Sequence, residues 1–328
     1  MINGLRIALF IAGCCLASVP ARAGHKLVAD LTFAGMCDAS AGVTLGSNLI
    51  AVANDEDNLL RVYRAEEGGA PIQNMDVSRF VAAAGKSPET DLEGAAWLGD
   101  RIYWIGSHSR NREGKYREPR HVFFATKVEP AASGPRLVLA GACYRDLLLD
   151  LVSDARLQPF GLLAASTRPP KTRDALNIEG LSATPDGHLL LGFRNPIPKG
   201  RALLVPLLNP AEVVAGRRAR LGDPVLLDLG GLGVRDLGLW SDRNYILAGP
   251  WDSEKKFRLF TWKGGGDKPK KVTDLDFPKH FTPEALVFHP GREEFQILSD
   301  DGTLKIQGLD CKRSPPEQRR FRGMWVKP

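Results

Sequence analysis

Apolar and polar positions alternate along this chain in short runs bounded by Gly, Pro, Asp or Asn, and this period-two pattern predicts strands, not helices. Five segments share one order: an acidic residue, an apolar strand, a turn, a second apolar strand, a polar loop and a third strand. In the first, Asp38 precedes residues 41–45, followed by 49–53, the loop 54–58 and 60–63. Glu93-Gly94 opens the second, with 95–98, the turn Gly99-Asp100, 102–105 and 121–127. The third runs from Glu179-Gly180 through 181–183, the turn Pro185-Asp186-Gly187, 189–193 and 202–207. Asp236 opens the fourth, with 245–248 and 257–262 as its later strands. Glu284 opens the fifth, with 285–288, 295–298, the turn Asp301-Gly302 and 304–307.

A further strand follows three of these units, at 137–140, 225–229 and 272–277, and residues 26–33 look like the same element placed before the first unit. The acidic markers recur at about the spacing of four-stranded propeller blades. Only the step from Glu93 to Glu179 is long. Residues 144–157 fill it with a helical face carried by Leu147, Leu148 and Leu151, and 159–170 then reads as loop. The expectation is an all-β propeller over residues 24–328, with a helical and loop insertion around 142–172. Five blades are expected, or six if the insertion hides one. An N-terminal strand completing the last blade would close the ring and remove an open sheet edge.

Residues 1–23 have a different pattern: a basic Arg6, apolar residues 7–19, Pro20 and then Ala21-Arg22-Ala23. This is the layout of a secretory signal peptide cut after Ala23. Ile11-Ala12-Gly13-Cys14 offers the alternative of a lipoprotein anchored at Cys14. No later run is apolar enough to span a membrane. A periplasmic or secreted product is expected, keeping Cys37, Cys143 and Cys311. An odd count permits at most one disulfide, whose pairing the sequence leaves open.

With 43% hydrophobic and 25% charged residues, the chain can bury a real core, and 34 Gly and 23 Pro suit many short strands. The net charge of +6 is evenly interleaved, and two of its cations, Arg6 and Arg22, lie in the leader. Nucleic acid is therefore not an expected partner. Gly106-Ser107-His108-Ser109-Arg110 lacks the second glycine of a nucleophile elbow, and no phosphate-binding or dinucleotide loop occurs. The loop Asp55-Glu56-Asp57-Asn58 reads as an acidic surface turn, and 319–322 as a basic tail packed on the last blade.

In a propeller the first strand of each blade lines the central channel, so Asp38, Glu93, Glu179, Asp236 and Glu284 should converge on one mouth. Five carboxylates cannot all stay ionised there without compensation. One solution is Ca²⁺, held by Glu93, Asn177, Glu179, Asp236 and Glu284, since calcium takes six to eight oxygen ligands. The other is arginine, from Arg235, Arg194 and Arg110. Arg110 and Arg194 would also suit an anionic substrate, and His108 would move a proton near neutral pH. A third reading is structural: each acid accepts backbone N–H bonds from the next blade and pins the two together.

The phrases Gly35-Met36-Cys37-Asp38-Ala39-Ser40, Asp55-Glu56-Asp57-Asn58 with Arg61-Val62-Tyr63, Ile102-Tyr103-Trp104-Ile105-Gly106-Ser107-His108-Ser109-Arg110-Asn111, Asn177-Ile178-Glu179-Gly180-Leu181 and Gly192-Phe193-Arg194-Asn195-Pro196 resemble the uncharacterised bacterial family known as domain of unknown function 3616. The resemblance extends from Leu27 to Gly302 and implies kinship without a reaction. More distantly, the acidic-Gly openings resemble propellers of the esterase-like activity of phytase family and the calcium-dependent lactonases. Those hold a metal in the channel, which by motif position corresponds here to Glu93, Asn177, Glu179, Asp236 and Glu284. The resulting expectation is a metal-dependent hydrolase of phosphate or carboxylic esters with a small anionic ligand or ester as substrate. The alternative is a non-catalytic propeller of the cell envelope that binds a ligand or a protein.

Overall fold

The structure, a computed structural model, describes residue 1 and residues 26–327 except 47, 82–87, 133, 253, 255, 273–274 and 276. The leader and Cys14 lie outside the described residues. The described residues form five four-stranded antiparallel blades. The first comprises Ala39–Gly46, Leu49–Asn54, Leu59–Arg64 and Gly68–Asp76. Leu92–Leu98, Arg101–Gly106, Phe123–Glu129 and Arg136–Tyr144 make the second. The third is Asn177–Ala183, Leu189–Asn195, Ala202–Leu207 and Val225–Leu227. Gly233–Trp240, Arg243–Gly249, Arg258–Trp262 and Lys270–Lys271 make the fourth. The fifth joins Pro283–Phe288, Phe295–Ser299 and Arg320–Lys327 to the N-terminal strand Lys26–Ala34.

The innermost strands of successive blades pack side by side, and that of the fifth packs against that of the first, so the ring is closed. Second strands such as Leu49–Asn54 and Leu189–Asn195 are buried along their whole length because blades cover both faces. The core is accordingly divided into five main apolar clusters, one per blade junction. Ala51, Val62, Trp104 and Phe124 join the first and second blades, and Leu247, Leu259, Leu286 and Met324 join the fourth and fifth. Glycine lets the inner strands approach: a Cβ on Gly94 would sit 2.9 Å from Ile105 and 3.0 Å from Leu181 of the next blade.

Closure combines three devices. Lys26–Ala34 pairs antiparallel with Arg320–Lys327, while Phe33 reaches Gly69 of the first blade in parallel. The rings of Phe33, Tyr63 and Phe321 pack with centroids 4.9–5.5 Å apart. Cys37 and Cys311, 274 residues apart, form a disulfide, leaving Cys143 as the free thiol among the described residues.

Two expectations on strands are corrected. Residues 304–307 do not supply the fifth blade's third strand; a small hairpin, Lys305–Ile306 with Leu309–Asp310, intervenes, and Arg320–Lys327 takes that place. The expected strand at 272–277 is seen as Lys270–Lys271, and part of the expected range lies outside the described residues. The insertion carries the helix Leu147–Ser153 and two shorter turns, Ala155–Phe160 and Leu162–Ala165, and no sixth blade among the described residues. Buried Asp150 anchors it by accepting bonds from the Tyr144 hydroxyl, the Arg218 guanidinium and the Ala219 N–H. Among the described residues, no helix is long and apolar enough to cross a membrane.

Candidate functional site at the acidic mouth

Antiparallel pairing decides which residues share a rim. The start of each innermost strand faces the end of its blade's second strand: Ala39 pairs with Asn54, Leu92 with Gly106, Asn177 with Asn195, Gly233 with Gly249 and Pro283 with Ser299. The acidic openers therefore share one mouth with Asp55, His108, Trp251 and Asp300, which follow second strands.

Arginine neutralises one side of this mouth. Glu179, 2% exposed, accepts bonds on Oε1 from Asn177 Nδ2 at 2.7 Å and Arg194 Nη1 at 2.9 Å. Arg235 Nη1 lies 3.0 Å from Glu179 Oε2, and the rest of its fork grips Glu284, Nε donating to Oε2 at 2.7 Å and Nη2 meeting Oε1. Arg194 is fixed in turn by donating to the carbonyls of Pro250 and Trp251 at 3.2 and 3.0 Å. Asp236 stands apart from this network: its two oxygens accept the N–H groups of Leu237 and, across the blade junction, Leu286, at 2.8 and 2.7 Å. Burial raises its carboxyl pKa well above the usual range, opposed by those two bonds.

The other side is acidic. Carboxylate oxygens of Asp55, Asp91 and Glu93 lie within 4.8 Å of one another, and so do those of Asp38, Asp55 and Glu56. Burial raises the Glu93 pKa well above normal, with Glu179, Asp91 and Asp55 adding to it; burial and Asp300 push Asp38 up to about 8. Asp55 Oδ1 is sealed from solvent and has no hydrogen-bond partner among the described residues. Among the described residues, ion pairs reach this side from Arg120 on Asp91 at 2.7 Å and Lys312 on Glu56 at 2.6 Å. These groups can hold a metal ion. Loop 54–58 is thus part of the mouth and not simply a surface turn.

Of the expected residues, Glu179, Glu284, Arg194 and Arg235 are brought together, and Glu93 and Asp38 join the acidic side. Arg110 instead donates to the carbonyls of Ser166 and Gly114 at 2.9 and 3.2 Å, tying the insertion to the second blade. His108 is 1% exposed, its Nδ1–H donates to the Gly106 carbonyl at 2.9 Å, and its ring meets His121 edge-on. Desolvation lowers its pKa to about 4, and that of His121 to about 3, so both rings are neutral near pH 7. Unfolding frees both rings to titrate at their ordinary values. The unfolded chain then binds more protons below about pH 6.5, and stability falls as pH drops from there towards 4. The raised carboxyls act with the opposite sign. The histidine contribution is therefore expected as a difference: urea unfolding from pH 7 to 4.5 should give a flatter acid slope for His108→Gln/His121→Gln than for the unmodified chain, by roughly 1 kcal/mol per pH unit for each ring.

Spacing from the acidic markers does not reveal Asp55, Asp91 and Asp300; the hairpin register does. The family model described as "Protein of unknown function (DUF3616)" matches residues 38–127 and 138–285. No curated protein matches the sequence. Among solved structures, the chain is similar to glutaminyl cyclase from Myxococcus xanthus, at 12% identity and a TM-score of 0.48, covering 93% of this chain and 97% of that one. It is also similar to the PQQ-bound aldose sugar dehydrogenase from Streptomyces coelicolor, at 10% identity and a TM-score of 0.46, covering 92% and 97%. The WD40 repeats of RRP9 give 10% identity and 0.41, covering 92% and 100%. These likenesses concern the fold alone.

Proposed function

The chain belongs to the DUF3616 family of proteins of unknown function, and we propose that its acidic mouth holds a divalent cation, Ca²⁺, in the service of hydrolysing a phosphate or carboxylic ester. The observation carrying this reading is the meeting of two carboxylate sets at Asp55, whose Oδ1 is sealed without a partner among the described residues. Both sets offer hard oxygen donors and neither contains His or Cys, which favours calcium over zinc. A cation bound there polarises an ester oxygen and makes water a better nucleophile. The chain's own groups supply the rest. Arg120, Lys312 and the exposed Lys171 bring positive charge for an anionic substrate. The disulfide supports an oxidising, exported setting.

Chelator-treated full chain should bind Ca²⁺ saturably in calorimetry and melt at a higher temperature with it. Asp55→Asn and Asp91→Asn should each weaken binding at least tenfold. Hydrolysis of p-nitrophenyl phosphate or p-nitrophenyl butyrate should require the added ion. Absence of saturable Ca²⁺ binding overturns the reading; binding with no turnover of either ester overturns the hydrolase and leaves a calcium-holding recognition propeller.

A further inference from the structure

The opposite end of the channel has a different chemistry. Innermost strands that begin among carboxylates end at Gly46, Leu98, Ala183, Trp240 and Phe288, and between those ends lies a cavity of about 600 Å³. Every blade contributes to its wall. Leu45, Trp97, Leu239, Trp240 and Phe288 are half-exposed around it, and no charged side chain lines it among the described residues. Charged residues of this rim, among them Asp100, Asp186, Asp242, Arg292 and Glu293, sit on the hairpin turns just beyond. Its aromatic walls are held in place: Trp97 donates its indole N–H to the Thr44 carbonyl at 2.7 Å, and the rings of Trp240 and Phe288 stack with centroids 6.0 Å apart.

Large apolar side chains left half-exposed around a concave, uncharged space of this volume mark a ligand site, since monomers otherwise bury or scatter them. We propose that this end of the channel binds an uncharged, mainly apolar small molecule carrying an aromatic ring. Lack of any counter-charge in the wall excludes an anion or cation at this end, because a desolvated charge needs a partner. Aromatic surface is what the Trp97, Trp240 and Phe288 rings reward by stacking and edge contacts. This site is separate from the acidic mouth and does not depend on a cation there.

The probe is 1-N-phenylnaphthylamine, which is uncharged and fluoresces when removed from water. The full chain should bind it saturably, one per chain, with a Kd on the order of 1–100 µM. Its sulfonated analogue, 1-anilinonaphthalene-8-sulfonate, should bind at least tenfold more weakly. Trp240→Ala should weaken the uncharged probe at least tenfold and Leu239→Arg should abolish its binding. Leu163→Ser, at a leucine of the insertion that is 68% exposed, should leave it within twofold. Asp55→Asn should also leave it within twofold, which keeps this site distinguishable from the metal reading. Absence of saturable binding, equal affinity for the sulfonated analogue, or an unchanged Kd in both cavity variants overturns the proposal.

Discussion

Arg235→Met is expected to destabilise the fold by about 3–5 kcal/mol, the cost of leaving buried charge without its partner. Arg235 is 8% exposed and neutralises two carboxylates from different blades, Glu179 of the third and Glu284 of the fifth, while itself belonging to the fourth. Arg194 reaches Glu179 but not Glu284, so Glu284 would be left without an ionic partner among the described residues. Urea unfolding measures the loss. Arg235→Met/Glu284→Gln should regain part of it, because the amide removes the stranded charge, whereas Arg235→Lys should not match the parent, since an ammonium cannot reproduce the fork. A single variant within 1 kcal/mol of the parent would show that the network carries no such energy.

The second large effect concerns the disulfide. Cys37→Ser is expected to cost about 5–6 kcal/mol, because the bond closes a loop between residues 274 apart and the chain-entropy contribution grows with loop length. For a chain of this size, that corresponds to a fall of roughly 10 °C in melting temperature. Cys143→Ser changes a free, half-buried thiol and should move the melting temperature by a small fraction of that. Equal effects from the two substitutions would refute the assignment of the disulfide as the clasp of the ring.

The blades were legible because four of the five innermost strands open with an acid followed by glycine or alanine, and most second strands read as unbroken apolar runs. The third strand of the fifth blade was not, since the short hairpin at 305–310 also begins with an apolar-polar alternation and hides the true strand downstream. At the site, Glu93, Glu179 and Glu284 could be read from their positions on the innermost strands. Their division into an arginine-bound side and an acidic side could not, because it depends on which second-strand end faces which opener. Asp55 and Asp300 come from those ends and carry no marker of their own. His108 looked available for proton transfer because it follows a strand where blade loops gather and histidine titrates near neutral pH, yet only the packing of His121 and the Gly106 carbonyl against it shows a neutral, enclosed ring.

The strand at Lys26–Ala34 finishes a sheet whose other members come from 283–327. During synthesis it must therefore wait for its antiparallel partner until residues 320–327 have been made, with the parallel bridge to Gly69 as its contact with the first blade in the meantime. Assembly of the last blade is consequently an end-to-end event that a nascent, partly emerged chain cannot complete.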